Sequence, residues 1–217
     1  MNTDYNRKPK QAVTDFGWYN LGYLPHFDGG ETAQFVTFRL SDSMPHNILN
    51  EWRKLTADDI EFRKKIEGYL DAGHGECWLR IREIATIVQD TLIYHHDREY
   101  SLISWVIMPN HVHVLLRPLP LKHLNSIMHS IKSYSAQMAN KVLGRKGQFW
   151  QHESFDRYIR SEKHFHNVIE YIELNPVKAG LCNLPQEWEF SSRFIVQRKH
   201  WQAGMLALQS VQSNESS

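Results

Sequence analysis

The sequence predicts an α+β fold built on an antiparallel sheet, and three observations predict it. Short apolar runs rich in β-branched residues alternate with longer stretches of helical periodicity, in the order strand, helices, two strands, helix, short strands, helix. Two of those runs, residues 101–107 and 111–117, are separated by a Pro109-Asn110 turn and form a hairpin. At 217 residues the chain is long enough to bury one substantial core, and no internal repeat divides it.

The elements follow in order. Residues 3–15 are polar and read as an arm, and residues 16–30, aromatic and glycine-rich, as an ordered loop. Alternation over residues 34–40 predicts a first strand. Residues 45–70 read as helical with Asp58 as an N-cap near the middle, and a second helix covers residues 80–95, where Ile81, Ile84, Ala85, Val88 and Leu92 repeat at helical spacing. After the hairpin a helix is expected over residues 121–143, ended by Gly144. Short strands are expected at 149–150 and 155–159. A last helix starts at Ser161, which has N-cap character, and stops at Asn175, where Pro176 forbids continuation. Residues 191–201 are expected to pack back on the body and 209–217 to be disordered. The expected organisation is an N-terminal arm and loop over 1–30, one domain over 31–195 with a helical insertion at about 45–95, and a tail over 196–217.

Composition narrows the function classes. Hydrophobic content of 41% and charged content of 23% fit a soluble globular protein. No apolar run approaches the roughly 20 residues needed to span a bilayer, and the first ten residues lack an apolar signal region, so a cytoplasmic protein is expected. Cys77 and Cys182 form no CxxC pair, which argues against a cysteine zinc site and a disulfide scaffold. The formal net charge of +1 hides a regional asymmetry. Between residues 100 and 152 there is no Asp or Glu, while Arg117, Lys122, Lys132, Lys141, Arg145 and Lys146 stand there with several histidines. Such a stretch suits a polyanion, and nucleic acid is the commonest.

Two constellations carry chemistry. His111 and His113 lie two apart in a predicted strand, so both imidazoles share a face and offer two thirds of a facial metal site. A metallo-β-lactamase-type site wants Asp and His soon after the pair, and a histidine-triad hydrolase wants a third His where Leu115 stands; both are missing. On the last helix Phe165, Val168, Ile169 and Ile172 form a buried stripe, and Tyr171 projects beside it with His164, Asn167 and Asn175 on its side. Tyr134 is the rival phenol, but Ile127, Ile131, Tyr134, Met138 and Val142 make one stripe, which reads Tyr134 as core.

With their flanks, these segments resemble a known family. Met108-Pro-Asn-His-Val-His-Val-Leu-Leu116 is similar to the HUH motif of single-tyrosine transposases, and Tyr171-Ile-Glu-Leu-Asn-Pro-Val-Lys-Ala-Gly-Leu181 to their tyrosine helix. Trp150, the segment 155–160 and Trp188-Glu-Phe-Ser-Ser192 extend the likeness to the REP-associated branch, over residues 34–193. The resemblance implies a ferredoxin-like (RRM-like) HUH endonuclease palm. It implies His111 and His113 as metal ligands, Tyr171 as nucleophile and Asn175 in the place of a third, amide ligand, where many relatives carry Gln. A divalent ion, Mg²⁺ or Mn²⁺, is expected, and no nucleotide cofactor, because a phosphotyrosine ester retains the energy needed for rejoining.

The resemblance further implies single-stranded DNA beside a hairpin, such as a repetitive extragenic palindrome, cut and transferred through a 5′-phosphotyrosine. Lys132, Lys141, Arg145, Lys146, Arg157 and Arg160 are candidate phosphate contacts, and Trp150 or Tyr158 candidate base-stacking rings. A monomer is favoured over a homodimer, with no obligatory protein partner and no membrane. Two other readings compete: a hairpin-binding protein of the same descent with weak catalysis, and a metal-dependent phosphodiester or nucleotide hydrolase using water. The helical segment 45–70 exceeds what the minimal family core needs, and the sequence assigns it no role.

Overall fold

The computed structural model describes residues 17–20, 25–56 and 58–196. Its described elements are β1 (Gly17–Asn20), β2 (Pro25–Asp28), β3 (Gln34–Arg39), α1 (His46–Leu55), α2 (Asp59–Asp71), α3 (Arg82–His95), β4 (Tyr100–Ile107), β5 (His111–Pro118), α4 (Leu124–Val142), β6 (Phe155–Tyr158) and α5 (Glu162–Lys178). The main sheet has the order β4-β5-β3-β6 with every neighbour antiparallel. The run β3-α3-β4-β5-α4-β6 is therefore the ferredoxin-like split βαβ arrangement that the resemblance implied. The α1–α2 pair is inserted after the first strand of that run, and α5 follows the last.

Alternation along the strands sorts the residues into two faces. Val36 and Phe38 of β3, Trp105 and Ile107 of β4, and Val112, Val114 and Leu116 of β5 face α3 and α4, meeting Ile84, Val88, Leu92, Ile127 and Ile131. Phe35, Val106 and Leu115 face the other way, toward Val168 and Ile172 of α5. A bulge between Leu102 and Ser104 shifts the register of β4, so Val106 rather than Trp105 lies opposite His113. On this second face the α1–α2 pair forms its own small core, with Leu49, Phe62, Ile66 and Leu70 closing over Phe155 of β6. Two helical units thus cover one face of the sheet, α5 on the β4 side and α2 on the β6 side.

Several expectations change. Residues 16–30 were expected as a loop; within them β1 and β2 pair as an antiparallel ribbon, Trp18 opposite Phe27. Phe149-Trp150 makes no strand, only a bridge from Trp150 to Leu40. Helix α5 does not stop before Pro176 but runs to Lys178. Proline costs the helix one N–H, to the carbonyl a turn earlier, and the following turn recovers the loss. Gly180 N bonds to Val177 O and Leu181 N to Pro176 O, at 3.0 and 2.9 Å, a Schellman close that uses Gly180 at φ +68°.

On α4 the buried stripe is Ile127, Ile131, Ser135 and Ala139, and Tyr134 is 53% exposed. A serine replaces the tyrosine in the core because its hydroxyl is fully used. It donates to Ile131 O at 2.6 Å and accepts from Trp150 Nε1 at 2.9 Å. Residues 3–15 and 209–217, expected as arm and disordered tail, lie outside the described residues; of 191–201, residues 191–196 are described, and Ser191 bridges back to Val106.

Truncating Ile131 and truncating Tyr134 are expected to differ sharply. Ile131→Ala costs about 2–5 kcal/mol, whereas Tyr134→Ala stays within about 0.5 kcal/mol. Urea unfolding of both variants measures the contrast, and an equally large loss for Tyr134→Ala would restore the stripe expected from sequence.

Candidate metal and nucleophile centre

His111 and His113 lie on β5, in the middle of the sheet, and both are fully buried. Their Nε2 atoms are 3.1 Å apart. Two nitrogen donors about 2.1 Å from one ion and near a right angle lie about 3.0 Å from each other, so the spacing suits a shared ion. The outer nitrogens are held. Asn110 Nδ2 donates to His74 O at 2.8 Å, which turns its Oδ1 toward His111 Nδ1 at 2.7 Å and requires the proton there. Thr37 Oγ1 meets His113 Nδ1 at 2.8 Å. With its proton on Nδ1, His111 turns an Nε2 lone pair toward His113 Nε2. Burial pushes His111 down to about 3 and His113 well below its usual range, so both imidazoles are neutral at physiological pH.

Tyr171 and Asn175 reach this point from α5, one turn apart. The Tyr171 ring meets the His113 ring edge-on at 5.3 Å and Phe35 at 5.8 Å. Burial, then the negative charges of Glu67 and Asp71, push its phenol up; the Glu67 carboxylate acts on the hydroxyl, yet no partner meets it in good hydrogen-bond geometry. Asn175 is fully buried and its Oδ1 has no partner, while Nδ2 reaches Asp71 Oδ1 at 3.5 Å. Asn175 thus reaches the edge of the histidine pair through Asp71, with a buried amide oxygen that has no hydrogen-bond partner.

The fold adds residues that the sequence reading missed. Asp71 ends α2 with Oδ1 3.6 Å from His111 Nε2, and ligand atoms of Asp71, His111 and His113 all lie within 4.8 Å of one another. Burial pushes Asp71 up to about 6, and burial likewise raises Glu67 one turn earlier. The available signal was two acids at i and i+4 near the end of a predicted helix, but nothing in the sequence says which part of the sheet that helix meets.

The candidate cations separate. Arg157 lies opposite Phe35 in the β3–β6 register, on the site face, with its guanidinium 5.3 Å from the Phe35 ring centre and its charge acting on Tyr171, His113 and Glu67. Arg160 stacks on Tyr158 nearby. Lys132 is committed elsewhere, to His152 O at 2.8 Å and Ser154 Oγ at 3.4 Å, and burial pulls its ammonium down to about 8. Arg145 stacks on Trp78 at 4.1 Å and donates to Gln148 O. Lys141 is exposed on α4, across the sheet from the histidine pair, and Lys146 is exposed just beyond that helix. Trp150 is a core ring against Phe38 rather than a base-stacking platform.

Residues 81–175 match the family described as "Transposase IS200 like". The match covers less than half of the chain, so this segment is similar to the IS200-like transposases. The chain is also similar to REP-associated tyrosine transposases. It is 28% identical over 97 residues to the one from Escherichia coli (strain K12), which covers 44% of this chain and 56% of that protein. A relative from Haemophilus influenzae is 27% identical over 104 residues, covering 43% and 58%. The chain thus aligns with little more than half the length of these curated relatives. A solved REP-associated tyrosine transposase bound to a REP hairpin shares the fold, at TM-score 0.50 and 18% identity over 77% of this chain and 79% of that one.

Neutral buried histidines have a consequence for stability. Unfolded imidazoles take a proton near about pH 6.5, whereas His111 in the fold takes one only near 3. Between those values the unfolded chain binds the extra proton, so stability falls as pH drops from about 6.5 toward 3. Asp71, held above its ordinary value, acts with the opposite sign, which makes comparison with a variant the cleaner test. The metal-free protein is expected to lose stability relative to His111→Asn as pH falls through this window. Urea unfolding of both proteins at several pH values measures it, and parallel pH profiles would contradict it.

Proposed function

We propose that this protein cleaves and rejoins single-stranded DNA beside a hairpin, of the repetitive extragenic palindrome kind, through a covalent 5′-phosphotyrosine at Tyr171. The observation that carries this reading is the Tyr171 ring, edge-on to His113 at 5.3 Å with its buried hydroxyl acted on by the Glu67 carboxylate, next to a histidine pair whose Nε2 atoms lie 3.1 Å apart. His111, His113 and the Asn175 amide would hold a divalent ion, Mg²⁺ or Mn²⁺, which when bound would polarise a phosphate and offset charge on its non-bridging oxygens.

The chain's own groups do the rest. The Glu67 carboxylate is placed to take the phenolic proton, and its raised affinity for protons, set chiefly by burial, suits that task. Tyr171 Oη then attacks phosphorus in line; the bond from phosphorus to the 3′ oxygen breaks, and that oxygen leaves and takes up a proton as the 3′-hydroxyl. The guanidinium of Arg157 supplies fixed positive charge beside the phosphate, and Arg160 and Tyr158 continue the surface along β6. Reversal by a second 3′-hydroxyl rejoins the strand without a nucleotide cofactor. No helix among the described residues is long and apolar enough to cross a membrane. The proposed setting is DNA in the bacterial cytoplasm, with the protein acting as a monomer and needing no protein partner.

Labelled single-stranded hairpin DNA incubated with the protein and Mn²⁺ is expected to give a covalent adduct on a denaturing gel. The adduct disappears in Tyr171→Phe and persists in Tyr134→Phe. Glu67→Gln slows its formation by about 10²-fold or more. An adduct in Tyr171→Phe would refute the nucleophile; cleavage without any adduct in the wild type would favour hydrolysis by water, and tight hairpin binding without cleavage would favour a binding protein. Arg157→Gln is expected to lower the adduct-forming rate more than hairpin affinity, read by single-turnover cleavage against a binding titration.

A further inference from the structure

Helix α2 lies outside the segment that matches the transposase family, which begins at residue 81. Yet the last residue of α2 enters the histidine site. We propose that Asp71 is itself a ligand of the ion held by His111 and His113, which makes the α1–α2 pair a working part of the metal centre. The inference rests on the metal-dependent reading above and adds to it a carboxylate ligand from an element outside the matched core.

The first argument is placement. Asp71 Oδ1 stands 3.6 Å from His111 Nε2, and its ligand atom lies within 4.8 Å of those of both histidines. The carboxylate is largely buried, its side chain 27% exposed. The second argument is charge. Asp71 Oδ1 lies beyond hydrogen-bond reach of His111 Nε2, at 3.6 Å, so this largely buried carboxylate is left with little direct compensation. Asn175 Nδ2 helps only from 3.5 Å, and Lys178, whose charge acts on Asp71, lies with its Nζ 5.5 Å from the Tyr171 ring centre. A cation among the three groups removes that cost.

The third argument is how rigidly α2 is delivered. The loop that follows it is fastened on both sides: Asn110 Nδ2 donates to His74 O at 2.8 Å, and Glu76 N donates to Asp42 Oδ2 at 2.9 Å. Gly75 passes so close to Asp42 that a Cβ would sit 3.0 Å from its carbonyl oxygen, with φ at +88°, so only glycine fits the approach. Asn110 is also the partner of His111 Nδ1, so one side chain sets both the orientation of a ligand and the position of the helix end opposite it. Two imidazoles and one carboxylate form a facial set with open positions for substrate oxygens, and Asn175 adjoins that set with its Nδ2 3.5 Å from Asp71 Oδ1.

Mn²⁺ binding to the full chain, followed by calorimetry and by the loss of the free-ion electron paramagnetic resonance signal, tests the proposal without DNA cleavage. Asp71→Asn is expected to weaken Mn²⁺ binding by at least about tenfold. Asp71→Cys loaded with Co²⁺ is expected to gain a thiolate-to-cobalt charge-transfer absorption that Co²⁺-loaded wild type lacks, a signature only a direct ligand gives. Wild-type affinity in Asp71→Asn, or no new absorption in Asp71→Cys, overturns the assignment of Asp71 and leaves the histidine-centred reading standing. Failure of the wild type to bind Mn²⁺ removes both. If Asp71→Asn does not fold, by circular dichroism, the cobalt absorption of Asp71→Cys decides.

Discussion

Asn110 holds two parts of the molecule at once, its Oδ1 against His111 Nδ1 at 2.7 Å and its Nδ2 on the His74 carbonyl at 2.8 Å. The second bond orients the amide, the amide orients the imidazole, and the imidazole then presents an unprotonated Nε2 to the interior. Thr37, across the β3–β5 ladder, holds the His113 ring in orientation through its Nδ1. Without these two outer bonds the paired nitrogens would be free to rotate or exchange tautomers, and the elements that converge on them would have nothing definite to meet. The turn between β4 and β5 therefore couples the strand that bears the histidines to the helix that bears the acids.

The two faces of the sheet divide the labour. Toward α3 and α4 the packing is apolar and closed, and the buried Ser135 is fully satisfied there. Toward α5 and α2 the cover is split, and the seam carries the polar groups whose needs are unmet: the Tyr171 hydroxyl and Asn175 Oδ1. Each buried polar atom without a partner costs about 1–3 kcal/mol. The apolar packing on the opposite face offsets that cost, so the fold tolerates these two atoms at the seam.

Much of this was legible from periodicity and local chemistry. The hairpin with His111 and His113, the Asp58 cap (its side chain accepts from Glu61 N) and the apolar stripe of α5 all depend on neighbours close in sequence. Where the reading went astray, a distant partner decided. Tyr134 left the core because Trp150 came to Ser135, and Lys132 turned inward because the segment before β6 passes it with free carbonyl and hydroxyl groups. Helix α5 crossed Pro176 because its end is rebuilt by Gly180 and Leu181, an i+4 to i+5 pattern that a one-residue stop rule does not see.

By itself the sequence determined the order of the elements, the shared face of the two histidines and the one-turn relation of Tyr171 to Asn175, because a strand period of two and a helical turn are properties of local backbone geometry. Only the tertiary structure decided which of the basic residues stands at the site, Arg157 and not Lys132 or Arg145, and that Glu67 and Asp71 come next to it. Those outcomes depend on which helix covers which half of a sheet face. That choice is made by packing between segments far apart in the chain, Leu70 and Phe62 over Phe155 above all, and no local pattern encodes it.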